Sequence, residues 1–137
     1  MATNRKYAQT NNVWPNVKVI AQTASRTSNH ALSNDPVVCG SVPGVALDDA
    51  DSDGKTRMQK DGIFTLLVAG KDSSGTSGAD ANVAVNGGDI LYFDQSKTPP
   101  VSKRAGGVRF GYAVGDSGVE LVASGSTTTE IDVQVGY

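Results

Sequence analysis

The sequence predicts a mainly β protein: a small antiparallel β-barrel or sandwich with two pseudo-repeated halves, preceded by an extended N-terminal arm. Three observations predict it. Seventeen Val and 24 Ser plus Thr stand against only 10 Leu plus Ile, a bias toward strands. Sixteen glycines, with clusters of Asp, Asn and Ser, punctuate the chain at short intervals, and no segment sustains the 3.6-residue apolar period of a helix. At 137 residues the chain has the size of one domain, long enough to bury about two-thirds of its unfolded surface without a disulfide or metal staple.

Residues 1–16 are rich in Asn, Gln, Thr, Arg and Lys, with Tyr7, Val13 and Trp14 as isolated large apolar groups and Pro15 as a break. They read as an extended arm, and residues 17–137 as a single β-domain. Val17-Lys18-Val19-Ile20-Ala21 alternates apolar and polar residues and is the first strand candidate. After a polar stretch, Asp35-Pro36-Val37-Val38-Cys39-Gly40 and Gly44-Val45-Ala46-Leu47 supply two more. The turn-rich Asp48 to Gly54 segment leads into Lys55-Thr56-Arg57-Met58-Gln59. Ile63-Phe64-Thr65-Leu66-Leu67-Val68 is apolar enough to be a core strand.

In the second half, Gly88 to Asp94, Val108 to Val114, Val119 to Val122 and Thr128 to Val135 read as strands, separated by loops at 70–78 and 95–107. The last alternates almost perfectly, which points Ile131, Val133 and Val135 to the core and Glu130, Asp132 and Gln134 to solvent. The halves form a weak internal repeat. Asp35-Pro36-Val37-Val38 corresponds to Asp89-Ile90-Leu91-Tyr92, Gly44-Val45-Ala46 to Gly111-Tyr112-Ala113, and Gly62 to Leu66 to the closing strand.

Several function classes fall away on composition. Twelve Lys and Arg against 14 Asp and Glu give a net charge of −2, without the basic footprint of a direct nucleic-acid partner. No apolar run approaches the roughly 20 residues of a membrane helix, so no membrane partner is expected. The polar start lacks the apolar core of a signal peptide and Cys39 has no second cysteine, which suggests synthesis and folding in a cytoplasm.

Motifs that carry chemistry elsewhere are incomplete here. Asp49-x-Asp51-x-Asp53-Gly54 opens like a calcium loop, but its twelfth position is Lys60 rather than a bidentate Glu. Gly54-Lys55-Thr56 lacks the leading glycine of a phosphate-binding loop, because position 49 is Asp. Gly115-Asp116-Ser117-Gly118 resembles a protease nucleophile segment but reads as a turn, and the lone His30 sits in a Ser/Asn-rich stretch. Cys39 reads as a small buried hydrophobe, and Phe64, Tyr92, Phe93, Phe110 and Tyr112 as core or subunit-contact residues. No catalytic, cofactor-binding or metal-ligating residue is assigned, and no cofactor is expected.

The order Asp35-Pro36-Val37-Val38-x-Gly40, Gly44-Val45-Ala46-Leu47, Asp61-Gly62-Ile63-Phe64-Thr65-Leu66, Gly88 to Asp94 and Gly111-Tyr112-Ala113 resembles the small bacteriophage head decoration, or capsid cement, proteins. Members of that group are often labelled RecA/RadA-like, a label that the missing phosphate loop contradicts. A looser similarity, from Gly44 through Phe64, links the chain to the lambda-type decoration proteins. The resemblance implies a non-enzymatic virion protein on the capsid exterior. It would bind the major capsid protein, form a homotrimer at three-fold or quasi-three-fold positions, and stabilise the shell against internal DNA pressure. Arg5, Lys6, Tyr7 and Trp14 of the arm are the candidate capsid or subunit interface. The alternatives are a carbohydrate- or surface-binding β-module using Trp14, Tyr92 or Tyr112, and a small hydrolase using Asp or Ser residues.

Overall fold

The computed structural model describes residues 12–22, 26, 30–74, 80–125 and 128–136. Among them lie twelve strands and no helix: β1 (Val13–Lys18), β2 (Pro36–Cys39), β3 (Val42–Ala46), β4 (Lys55–Gln59), β5 (Gly62–Asp72), β6 (Ala81–Asn82), β7 (Val85–Asn86), β8 (Ile90–Phe93), β9 (Val101–Lys103), β10 (Val108–Ala113), β11 (Glu120–Val122) and β12 (Thr128–Val135). Strands β12, β10, β8, β9 and β5 hydrogen-bond in that order, and β5 returns to β12, closing a five-stranded barrel. All its pairs are antiparallel except β5 with β9. A four-stranded sheet, in the order β1-β4-β3-β2, flanks the barrel, and β7 and β11 form a short ribbon.

The predicted alternation of β12 holds residue by residue: Ile131, Val133 and Val135 are buried, while Glu130, Asp132 and Gln134 are exposed. Strand β5 is the core strand expected, but with one face only. Leu66 and Val68 point into the barrel, but Ile63, Thr65 and Leu67 face outward. A barrel wall has one interior, so period-2 geometry turns alternate residues out whatever their polarity.

Inside the barrel, Phe93 and Phe110 stack with centroids 6.3 Å apart, surrounded by Leu66, Val68, Leu91, Val101 and Val133. Fully burying each of these side chains stabilises the fold by roughly 1.5–3 kcal/mol. The flanking sheet works on both faces. Val38 and Val45 belong to the barrel core, while their neighbours Val37 and Ala46 join Met58, Val19, Ala21 and Ala31 in a second cluster.

The internal repeat is real in three dimensions. Pro36 pairs with Val45 and Val37 with Gly44, and the corresponding residues pair likewise, Ile90 with Tyr112 and Leu91 with Gly111. Each copy begins in a turn whose left-handed residue is Asn34 (φ 72°) or Gly88 (φ 86°). Each turn is closed by an Asp side chain that accepts from the backbone N–H three residues earlier, Asp35 from Leu32 (2.9 Å) and Asp89 from Asn86 (2.8 Å). The third strand of the first copy is β4, not β5 as the sequence suggested. Val45 pairs with Gln59 and Ala46 with Met58, as Tyr112 pairs with Gln134 and Ala113 with Val133. The outgoing bonds match as well: Leu47 N–H to Arg57 O and Val114 N–H to Asp132 O, both 2.9 Å.

In both copies the matched glycine lies under the third strand. A Cβ on Gly44 would lie 2.5 Å from Met58 Cγ, and one on Gly111 only 1.9 Å from the Gln134 carbonyl oxygen. That oxygen is backbone and cannot swing away, so Gly111→Ala must push β10 and β12 apart. We expect a loss of about 2–3 kcal/mol in urea unfolding, against little change for Gly106→Ala, where a Cβ would meet no heavy atom within 4 Å. Equal effects at the two sites would contradict this packing.

Candidate interaction surface

Closure of the barrel aligns outward-facing residues of four strands in rows. In one row Ile90 (β8), Tyr112 (β10), Gln134 (β12) and Ile63 (β5) stand side by side. The next pair along β12 and β5 is Asp132 with Thr65, and the one after is Glu130 with Leu67. Ile63 is 60% exposed, Leu67 48% and Ile90 37%. Single exposed apolar residues are ordinary, but three on one wall form a patch of the kind that marks a contact surface. Thr65 Oγ1 donates to Asp132 Oδ1 at 2.9 Å, and neither Asp132 nor Glu130 has an ion-pair partner among the described residues.

At the Leu67 end the wall opens into a groove of about 480 Å3, lined by Pro36, Leu66, Leu67, Pro99, Pro100 and Glu130 among others. Arg26 stands on its rim, gripped by both oxygens of Asp35 at 2.6 Å. These bonds to Asp35 favour the charged guanidinium and raise its pKa. Elsewhere, buried Arg104 pairs with Asp80 at 3.0 Å, and this hydrogen-bonded partner lowers the Asp80 pKa.

Arg5, Lys6 and Tyr7 lie outside the described residues. Trp14 does not: it sits in β1 opposite Met58, half-buried, packed against the second core cluster. The first strand thus starts at Val13, four residues before the boundary read from the sequence, and ends at Lys18. Pro15 is accommodated because the register shifts between Trp14 and Val17 on an edge strand, where its missing N–H breaks no ladder bond. Ile20, expected in that strand, forms an isolated bridge with Val38 instead.

The acidic loop spends its carboxylates locally. Asp51 Oδ1 accepts from the backbone N–H groups of Asp53 (2.9 Å) and Lys55 (3.0 Å), Asp49 accepts from Ser33 N–H (2.8 Å), and Asp48 takes both arms of Arg57. The Lys55 amide lowers the Asp51 pKa and the Arg57 guanidinium that of Asp48. Among the described residues no three His, Cys, Asp or Glu side chains converge on a point. Asp116 to Val119 is a turn, closed by a 3.0 Å bond from Val119 N–H to Asp116 O with Gly118 at φ 75°. His30 is half-buried beside Lys18 and Gly54. Cys39 is half-buried and packs on the second cluster. Arg109 stacks on the Tyr112 ring, 5.4 Å from its centroid, and donates to its hydroxyl.

The wall residues Ile63, Leu67 and Ile90 were missed by sequence reasoning. Their available signal was the partner strand: β12 alternates unambiguously, and any strand laid beside it in a barrel must expose every second residue too.

These features describe a small closed-barrel protein whose prominent exposed element is an apolar wall, and whose acidic loop commits Asp48, Asp49 and Asp51 to local hydrogen bonds and an ion pair. A family model described as phage cement protein matches residues 17–133. The chain belongs to the phage cement protein family, structural proteins of the phage capsid, and a place in the virion capsid follows from that membership. No curated protein and no solved structure matches it.

Because Trp14 packs on Met58, Trp14→Ala should lower the unfolding free energy by about 2 kcal/mol in urea, less than the cost of a fully buried Trp. Tyr7→Ala should leave it unchanged within about 0.5 kcal/mol. A Trp14→Ala loss below that size would contradict the packing of Trp14 in the domain.

Proposed function

We propose that this protein is a capsid cement in the full sense: it binds the outer surface of the major capsid lattice and stabilises the shell against the pressure of packaged DNA. The match of residues 17–133 to the phage cement proteins carries this reading. The architecture supports it. A closed barrel leaves no slack edge between its first and last strands, so load crosses the domain through hydrogen-bonded ladders. The domain exposes an apolar wall, and a segment bearing Arg5, Lys6 and Tyr7 precedes β1, with Trp14 fixing its base to the core. Copies grouped as a homotrimer at three-fold or quasi-three-fold positions would turn several modest contacts into high avidity.

A carbohydrate-binding module needs an open aromatic face. Arg109 covers one face of Tyr112, and Trp14 lies opposite Met58 and packs against the second core cluster. Neither of these two rings supports that alternative, which names Tyr92 as well.

The test is co-sedimentation with intact capsids that lack bound cement. The full chain should pellet with them to saturation; failure to pellet contradicts the cement reading. Deleting residues 2–11 should leave urea unfolding unchanged and weaken capsid occupancy by roughly tenfold, equivalent to 1.4 kcal/mol. Undiminished occupancy would remove the arm from the anchoring role.

A further inference from the structure

The apolar wall has a composition that fits the one segment of this chain with the opposite character. The first carboxylate of the sequence is Asp35, so residues 1–11 carry Arg5 and Lys6 with no acidic residue, and Tyr7 is their single aromatic. The wall offers the complement: Ile63 and Leu67 on β5, with Asp132 and Glu130 beside them on β12 and no cation paired to either carboxylate among the described residues.

Geometry agrees with charge. Asp132 and Glu130 are two residues apart on one strand face, about 7 Å. In an extended segment Arg5 and Tyr7 share a face at the same spacing, so Arg5 can meet Asp132 while Tyr7 enters the groove between Leu67 and Pro100. Length is sufficient. Eleven extended residues reach about 36 Å, and the wall from Ile63 to Leu67 is about 13 Å long. The segment leaves the domain at Asn12, whose carbonyl accepts from Lys60 N–H at 2.8 Å, in the connection between β4 and β5.

We propose that residues 1–11 of one copy dock along the β5–β12 wall of a second copy, with Tyr7 in the groove at Leu67 and Arg5 against Asp132. Each copy then carries one donor segment and one acceptor wall, the heterologous complementarity that closes into a ring when the rotation between copies permits. Ile63 and Leu67 are then covered, and Asp132 gains a cationic partner. The choice of a second copy over the same chain rests on the cement reading, in which subunits must be tied to one another.

The experiment uses full-length chains with Cys39→Ser. One population carries Tyr7→Cys and the other Leu67→Cys; they are mixed in concentrated solution, oxidised and resolved on a non-reducing gel. A cross-linked pair containing one chain of each kind is expected, and adding Glu130→Lys and Asp132→Lys to the Leu67→Cys chain should slow its formation at least about tenfold, since like charges now face Arg5. Absence of the mixed pair, or a rate insensitive to the charge reversal, overturns the proposal. So does a chain bearing both cysteines that closes only on itself. Sedimentation of the wild-type chain against Tyr7→Ala gives a second readout free of engineered thiols: the variant should shift toward monomer, and an unchanged distribution counts against docking. Capsid co-sedimentation is scored separately. A mixed pair formed by protein that ignores capsids upholds the arm-to-wall contact and sinks the cement reading; capsid binding without any mixed pair does the reverse.

Discussion

The ladder between β5 and β12 is the constraint on which the rest of the structure depends. Eight consecutive residue pairs, from Thr128 with Ala69 to Val135 with Gly62, join a strand of the first half to the last strand of the chain. Without it the barrel is an open sheet with two long edges, prone to pairing with anything extended. With it, Leu66, Val68, Ile131 and Val133 are forced inward around Phe93 and Phe110, and Ile63, Thr65 and Leu67 are forced outward. Core and contact wall are two consequences of one closure.

The same ladder explains how a duplicated unit became an asymmetric molecule. Both copies use a left-handed turn, an Asp cap, a buried residue opposite a glycine, and a third strand whose Gln carbonyl lies over that glycine. The second copy is built into the barrel, because its third strand, β12, has β5 as a further neighbour. The first copy has β1 in that place, and so forms the flanking sheet. That sheet is buried on both sides around Val37, Val38, Val45 and Ala46, which ties β1, and through Trp14 the base of the arm, to the rigid part of the molecule.

Much of this was legible in the sequence, for local reasons. The β12 alternation, and the match of Asp35 with Asp89 and of Gly44 with Gly111 across the two halves, depend on nearby chain geometry and read correctly. The order of glycines and strand residues also carried the family resemblance. What failed depended on distant partners. Ile63 to Val68 read as a core strand without its outward face, because an apolar run carries no mark of which side a barrel will close on. Strand β4 was passed over as the third repeat strand because Lys55, Arg57 and Gln59 obscure the one large apolar residue, Met58, that fills the matched position. Pro15 suggested a break, since the bulge that accommodates it arises only once β1 is laid against β4. The exposed wall was invisible for the same reason: it exists only after closure.

The proposed role is mechanical: the barrel would hold a capsid shell against what it contains. Its most direct measurement is the temperature at which DNA-filled capsids lacking cement release their DNA, with and without the protein bound to saturation. Release at a distinctly higher temperature is expected when the protein is bound. The same release temperature at full occupancy would contradict it.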